Sequence, residues 1–295
     1  MRILFIHGRS QGMKSSQILR AEWGAALARG LADAGLSLPA DIAFDHPFYG
    51  KTLDDFVDQA KLPQAWEIVS MGGSSGDASF DSFTRSVLQE IDARGEISEA
   101  DVRAQMEPGS EIEEMGPHNW AWVRAFVRAV DARWPGFSGA QINDFLTDVW
   151  LYLDKPAVQS AVDAIIEPEL TDEPTVVVGH SLGTVVAYNI LRKHKINLVG
   201  FLTLGSPLAI KAITAKLGLL ENVAPKRWVN AYDVADIVAL NPLDSTHFPV
   251  APKIANYSGV ENTTGNHHGI GGDPPERGYL LDRKILEQIV AFARL

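Results

Sequence analysis

The 295-residue sequence contains no cysteine, which removes disulfide cross-links, a thiol nucleophile and cysteine-ligated zinc at once. It also lacks an unbroken apolar stretch of membrane-spanning length. The uncharged stretch from Asn197 to Ile210 is broken by Gly200, Gly205 and Pro207 and falls short of the roughly 18 apolar residues a span needs. The N-terminal apolar run within Met1 to His7 is about five residues, shorter than a signal-peptide core, and suits a strand. Positive charge is in deficit. Against 37 Asp and Glu stand 26 Lys and Arg, a formal net charge of −11 that repels phosphate backbones and anionic lipid surfaces. Nucleic acid is therefore not an expected partner, and the expectation is a cytoplasmic protein with no integral membrane segment. There is no internal repeat, and low complexity is confined to Gly72 to Gly76.

What is present is the composition of a packed globule, 46% hydrophobic and 21% charged, in a chain of the size one large core can serve. A single domain over 1–295 is expected. Short apolar runs bounded by turn signals recur at Ile3 to Ile6, Ile42 to Phe44, Thr175 to Val178, Leu198 to Leu204, Trp228 to Ala231 and Lys253 to Ser258. Most are too continuous for a half-exposed antiparallel sheet, so they predict a mainly parallel sheet covered on both faces. Between them lie segments of helical period. Leu19, Trp23, Leu27 and Leu31 form one stripe ending at Gly35, a C-cap residue, and Leu281, Ile285, Ile289 and Phe292 form another. Strands alternating with helices imply an α/β fold class.

The middle of the chain differs. Residues 80–166 carry helical stripes and no strand pattern, with Val123, Phe126, Val127, Val130 and Trp134 on one helix and Ile142, Phe145, Leu146, Val149, Trp150 and Leu153 on the next. Ser98 with Asp101 predicts a capping box. This block either packs as core or rises over the site as a cap, where Trp120 and Trp122 would shape a substrate entrance.

A serine is a weak nucleophile at neutral pH, and needs a base, an orienting acid and donors for an oxyanion. The pattern GxSxG occurs at Gly179, His180, Ser181, Leu182, Gly183, between the strand ending at Val178 and a helix from Thr184. Glycines on both sides of the serine allow strand and helix backbones to approach closely around a strained turn. By average usage about one chain in ten of this length holds the pattern by chance, and it occurs here a second time around Ser74. That copy follows a poor strand candidate, Trp66 to Met71, and has three glycines in five residues, which suits a loop; context favours Ser181. A phosphate-loop reading of Gly8 to Ser15 fails, because Met13 separates Gly12 from Lys14.

Val177 to Gly183 resembles the nucleophile elbow of lipase-like and esterase-like α/β hydrolases. Ile3 to Gly8 (ILFIHG) resembles the strand that precedes the oxyanion loop in that superfamily, and Thr203 to Pro207 (TLGSP) the strand after the nucleophile helix. About two thirds of the chain is covered, the helical block excepted. The resemblance implies an α/β-hydrolase fold with a Ser-His-Asp triad in the order Ser, acid, His. Ser181 would be the nucleophile, and the oxyanion hole would use the backbone N–H of Leu182 and one from the loop, with Arg9 the candidate and Ser10 or Gln11 the alternatives. Val234 to Val238 resembles the segment that carries the acid, giving Asp236, with Asp233 and then Asp244 behind it. The histidine should lie before the last helix, which leaves His268, His267 and His247, with His268 preferred for its place beside the Gly269 to Gly272 stretch. The implied activity is cleavage of a carboxylic ester or related acyl bond in a small-molecule acyl substrate, with no cofactor or metal expected. The rival from another class is a non-catalytic binding or scaffold protein that keeps the fold.

Overall fold

The computed structural model describes residues 1–9, 11–60, 62, 75–95, 97–106, 120–133, 139–218, 227–249, 254–264 and 267–295, the side chains at 120, 121, 124, 131, 133, 139 and 140 excepted. Six strands, β1 (Arg2–Ile6), β2 (Ala43–Asp45), β3 (Thr175–His180), β4 (Leu198–Leu204), β5 (Trp228–Ala231) and β6 (Ala255–Tyr257), form one sheet in the order β2-β1-β3-β4-β5-β6. Every neighbouring pair is parallel. Each strand falls on one of the six apolar runs; the last is shorter than the run suggested, and Lys253 lies outside the described residues.

Parallel strands need crossovers, and helices in those crossovers cover both faces. The continuous apolar runs follow directly, because successive side chains point to opposite sides and both sides are buried. Ile3 and Phe5 of β1 join Val176 and Val178 of β3 in one core, while Leu4, Ile6 and Val177 join another. The first core is closed by α1 (Ser16–Ala34) through Leu19, Trp23 and Leu27, together with the C-terminal helix through Ile285, Ile289 and Phe292. Gly35 ends α1 in the left-handed conformation (φ 65°), and its N–H returns to the carbonyls of Leu31 and Ala32. Leu281 belongs to a short 3-10 turn; the C-terminal helix itself begins at Arg283, capped by the Asp282 carboxylate.

The second core is larger. After α2 (Gly50–Ala60) come α3 (Ala78–Asp92), α4 (Glu99–Ala104), α5 (Trp120–Arg133), α6 (Gly139–Asp154) and α7 (Pro156–Ile166), with no strand among the described residues of this region. Phe80, Val87, Phe126, Leu146 and Trp150 from these helices pack in one cluster with Val185 and Tyr188 of α8 (Leu182–Lys193) and Phe201 of β4. The Ser98–Asp101 capping box opens α4. Trp122 is buried and stacks on Phe126 with ring centroids 4.7 Å apart, so it belongs to this core. The remaining helices are α9 (Lys211–Thr214) and α10 (Arg283–Ala293). Among the described residues no helix is long and apolar enough to cross a membrane.

From β1 the chain moves outward to β2, then returns to place β3 on the other side of β1. The strand order reverses there, so the carboxyl ends of β1 and β3 border the crevice where open parallel sheets hold their ligands.

Candidate active site

Ile6 pairs with Gly179, so the segments after them, His7-Gly8 and His180-Ser181, run side by side at the carboxyl edge of the sheet. Ser181 joins β3 to α8 with φ 55° and ψ −131°, a conformation that costs a residue with a side chain on the order of 1–3 kcal/mol. Its surroundings admit no bulk. A Cβ on Gly183 would lie 2.1 Å from the Ile6 carbonyl oxygen, and one on Gly8 would lie 2.8 Å from the Ser181 Cβ. The strained turn is held by its own backbone: Ser181 N–H donates to the Leu204 carbonyl at 3.0 Å, and the Ser181 carbonyl accepts from Thr184 N–H at 2.9 Å and Thr184 Oγ1 at 2.8 Å. Leu182 is the first residue of α8, so its N–H has no acceptor inside the helix and points from the positive end of the helix dipole.

Ser181 and His268 line one cavity of about 230 Å³, together with Arg9 and Gln11. Ser181 Oγ and His268 Nε2 are both buried without a hydrogen-bond partner among the described residues. Buried polar atoms are rarely left unpaired, and two of them lining one cavity mark a place where a reacting group can satisfy both.

Each of the three candidate acids meets a candidate histidine. Asp236 Oδ2 lies 2.7 Å from His268 Nδ1, Asp233 Oδ2 3.0 Å from His267 Nδ1, and Asp244 Oδ1 2.9 Å from His247 Nδ1. Burial and position separate them. The His267 side chain is 42% exposed and the Asp244 side chain 41%, whereas Asp236 is fully buried and His268 is 15% exposed. Only His268 of the three histidines lines the cavity with Ser181. Asp233 instead accepts from the N–H groups of Ala235 and Asn262, and so ties the turn after β5 to the loop that carries the histidines.

Burial alone would raise the Asp236 carboxyl, but the charge and hydrogen bond of His268, the Tyr279 hydroxyl at 2.6 Å and the Val238 N–H together hold it below the usual carboxylate range. An ionised carboxylate only accepts, so His268 Nδ1 must carry the proton and neutral His268 presents the lone pair of Nε2. Gly205, at the end of β4 with φ 54°, passes against this pair; a Cβ there would lie 2.9 Å from Asp236 Oδ2. His180 Nε2 lies 2.7 Å from the His268 carbonyl, to which it donates, and its ring tilts over the His268 ring at 4.7 Å. Burial pushes His180 down to about 3, so it serves as a neutral clamp on the His268 backbone.

On the other side of the serine, His7 is buried and likewise pushed down to about 3. Its Nε2 accepts from Tyr49 N–H at 3.2 Å, which leaves Nδ1 to donate to the Gly8 carbonyl at 2.6 Å and shape the loop. The Arg9 side chain turns to the helical block, with Nε 3.0 Å from Asp148 and Nη2 2.8 Å from Asp144, both on α6. Burial pushes Asp148 up to about 6 against the pull of Arg9. Gln11 Nε2 donates to the Arg9 carbonyl at 2.9 Å.

The structure thus brings Ser181, Leu182, Asp236, His268 and Arg9 to one crevice, while Ser10 and Ser74 lie outside the described residues. Sequence reasoning missed Tyr279, Gly205 as a wall of the acid–histidine pair, the His180 clamp and the Asp144–Arg9–Asp148 link. His180 and Gly205 were inside quoted motifs, but at positions whose chemistry the motif leaves open. Tyr279 carried no pattern at all.

No family model, curated protein or solved structure matches this chain.

Proposed function

We propose that this chain is a serine hydrolase of the α/β-hydrolase type that cleaves a carboxylic ester or related acyl bond. The observation that carries the reading is that one cavity is lined by a strained Ser181 and by a His268 whose Nδ1 is held by a buried Asp236, while Ser181 Oγ and His268 Nε2 have no hydrogen-bond partner among the described residues. Strain is kept where it serves chemistry, and this elbow gives the hydroxyl access while both backbones stay packed. In the proposed reaction Ser181 Oγ attacks the acyl carbonyl carbon as His268 Nε2 takes its proton. The imidazolium is stabilised by Asp236, and the oxyanion is held by the N–H of Leu182 with one from the loop at Arg9. His268 then protonates the leaving alcohol. Water, deprotonated by His268 in turn, attacks the acyl-enzyme and releases the acid.

A fluorophosphonate probe followed by peptide mass mapping tests this: the adduct is expected on Ser181, and p-nitrophenyl acetate hydrolysis should vanish in Ser181→Ala. An unlabelled Ser181, or an adduct on Ser74, would overturn the assignment.

A further inference from the structure

The interior of α1 contains two glycines, Gly24 and Gly30. Glycine is the poorest helix former after proline, so each calls for a reason. Gly30 has one in close packing, since a Cβ there would lie 2.4 Å from the Leu280 carbonyl oxygen. Gly24 has none of that kind: nothing lies within 4 Å of the position its Cβ would take. What Gly24 does border is an apolar groove of about 290 Å³ walled by Phe5, Trp23, Leu27, Leu31, Leu38 and Phe44. Gly24 is exposed on the same helix face as Arg20, Leu27 and Leu31, which also line the groove.

His46 also stands in the wall; burial pushes it down to about 4, so it adds a neutral ring. Arg20 borders the same groove, with its guanidinium donating to the Phe44 carbonyl at 2.8 Å. Among the described residues Trp23 alone lines both this groove and the Ser181 cavity. Its indole meets the ring of His180, the neighbour of Ser181, edge-on at 6.1 Å and that of His46 at 4.9 Å. The two hollows therefore share the Trp23 wall, the one at the nucleophile and the more apolar one beside it.

We infer that the groove beside Gly24 seats an aliphatic chain of the ester cleaved at Ser181, with the chain passing over Trp23. The inference rests on the hydrolase reading and adds its substrate class: an ester with an extended aliphatic group on its acyl or its alcohol side. Each methylene buried in such a groove is worth about fourfold in kcat/KM.

Gly24→Phe adds a ring at the groove from a position whose Cβ would meet no atom within 4 Å. With p-nitrophenyl esters from acetyl to octanoyl, and with a series of alkyl acetates, the wild type should favour the longer chain in one of the two series. Gly24→Phe should cut that long-to-short ratio at least about tenfold, with a Tm no lower than the wild type's; the series affected identifies the side of the ester that carries the chain. Should Gly24→Phe not fold, Gly24→Leu gives the same reading with a smaller fall. Ratios unchanged in both series overturn the inference. If the wild type cleaves no ester, the hydrolase reading fails separately, and calorimetric binding of octanoate to Ser181→Ala tests the groove alone. Binding that Gly24→Phe abolishes supports it; absent binding, or binding unchanged by Gly24→Phe, overturns it.

Discussion

Asp236 accepts from His268 and Tyr279 on one oxygen and from the backbone at Val238 on the other, and each donor favours the ionised form. Replacing it with asparagine keeps the shape but presents an amide N–H or a weaker oxygen to His268 Nδ1, so the ring can turn its proton to Nε2 and lose its basic nitrogen. Asp236→Asn should lower kcat by up to about ten-thousand-fold with the fold intact. Asp233→Asn should cost no more than about tenfold, since its contacts order a loop and a half-exposed histidine outside the cavity. Steady-state kinetics on both variants decides, and equal losses would move the acid to Asp233. Ser181 gives a second prediction. Both Ser181→Ala and Ser181→Gly remove the nucleophile, but only glycine relieves the positive φ, so Ser181→Gly should be the more stable by about 1 kcal/mol in urea unfolding. Chain order made these residues candidates, and the preference for Asp236 and His268 came from the resemblance and from the Gly269 to Gly272 stretch rather than from spacing, since each acid does pair with a histidine. What distinguishes the pairs is burial and a shared cavity, which come from tertiary packing that residue spacing does not encode.

At the scale of elements the same tertiary forces were legible, because they leave periodic traces. Strands buried on both faces read as unbroken apolar runs, and α1 showed its stripe and its Gly35 cap. α2 left little trace, since of its 11 residues only Gly50 and Leu53 are fully buried. The links between elements were not legible either: Arg9 reaches α6, more than a hundred residues away, through single charged side chains that look like ordinary surface. Helix glycines show how context decides meaning. In α8 a Cβ on Gly183 would meet the backbone oxygens of Ile6 and His7 at 2.1 and 2.4 Å, groups fixed in or beside the sheet, whereas Gly24 of α1 faces open space. Gly183→Ala should therefore destabilise by about 3 kcal/mol or more as α8 is forced off β1. Gly24→Ala should stabilise by up to about 1 kcal/mol through helix propensity alone. Urea unfolding of the two variants measures both, and a Gly183→Ala protein as stable as the wild type would contradict the close β1–α8 contact.

For the molecule as a whole, three histidines in and behind the crevice set its response to acid. His7, His46 and His180 are held neutral chiefly by burial, with values pushed from the ordinary 6.5 down to about 3, 4 and 3. The unfolded chain takes up these protons near pH 6.5, while the folded chain resists until those lower values, so between them the unfolded state binds more protons. Their burial therefore costs nothing in proton linkage above about pH 6.5, and stability falls steadily as the pH drops toward 4. By pH 5 each histidine costs about 2 kcal/mol relative to pH 7, and together they rival the whole stability of an ordinary domain. Asp236 acts in the other window: its carboxyl is lowered, so its contribution is full above the ordinary carboxylate value and is lost as the pH falls from there through the lowered one, after the histidines have begun to act. His46 separates the effects, because neither of its buried ring nitrogens has a hydrogen-bond partner among the described residues. His46→Phe keeps an aromatic ring against Phe5 and Trp23. Urea unfolding at pH 7 and pH 5 should show the wild type losing several kcal/mol between the two, and His46→Phe losing about 2 kcal/mol less; an identical loss in both proteins would mean that His46 takes its proton as easily folded as unfolded.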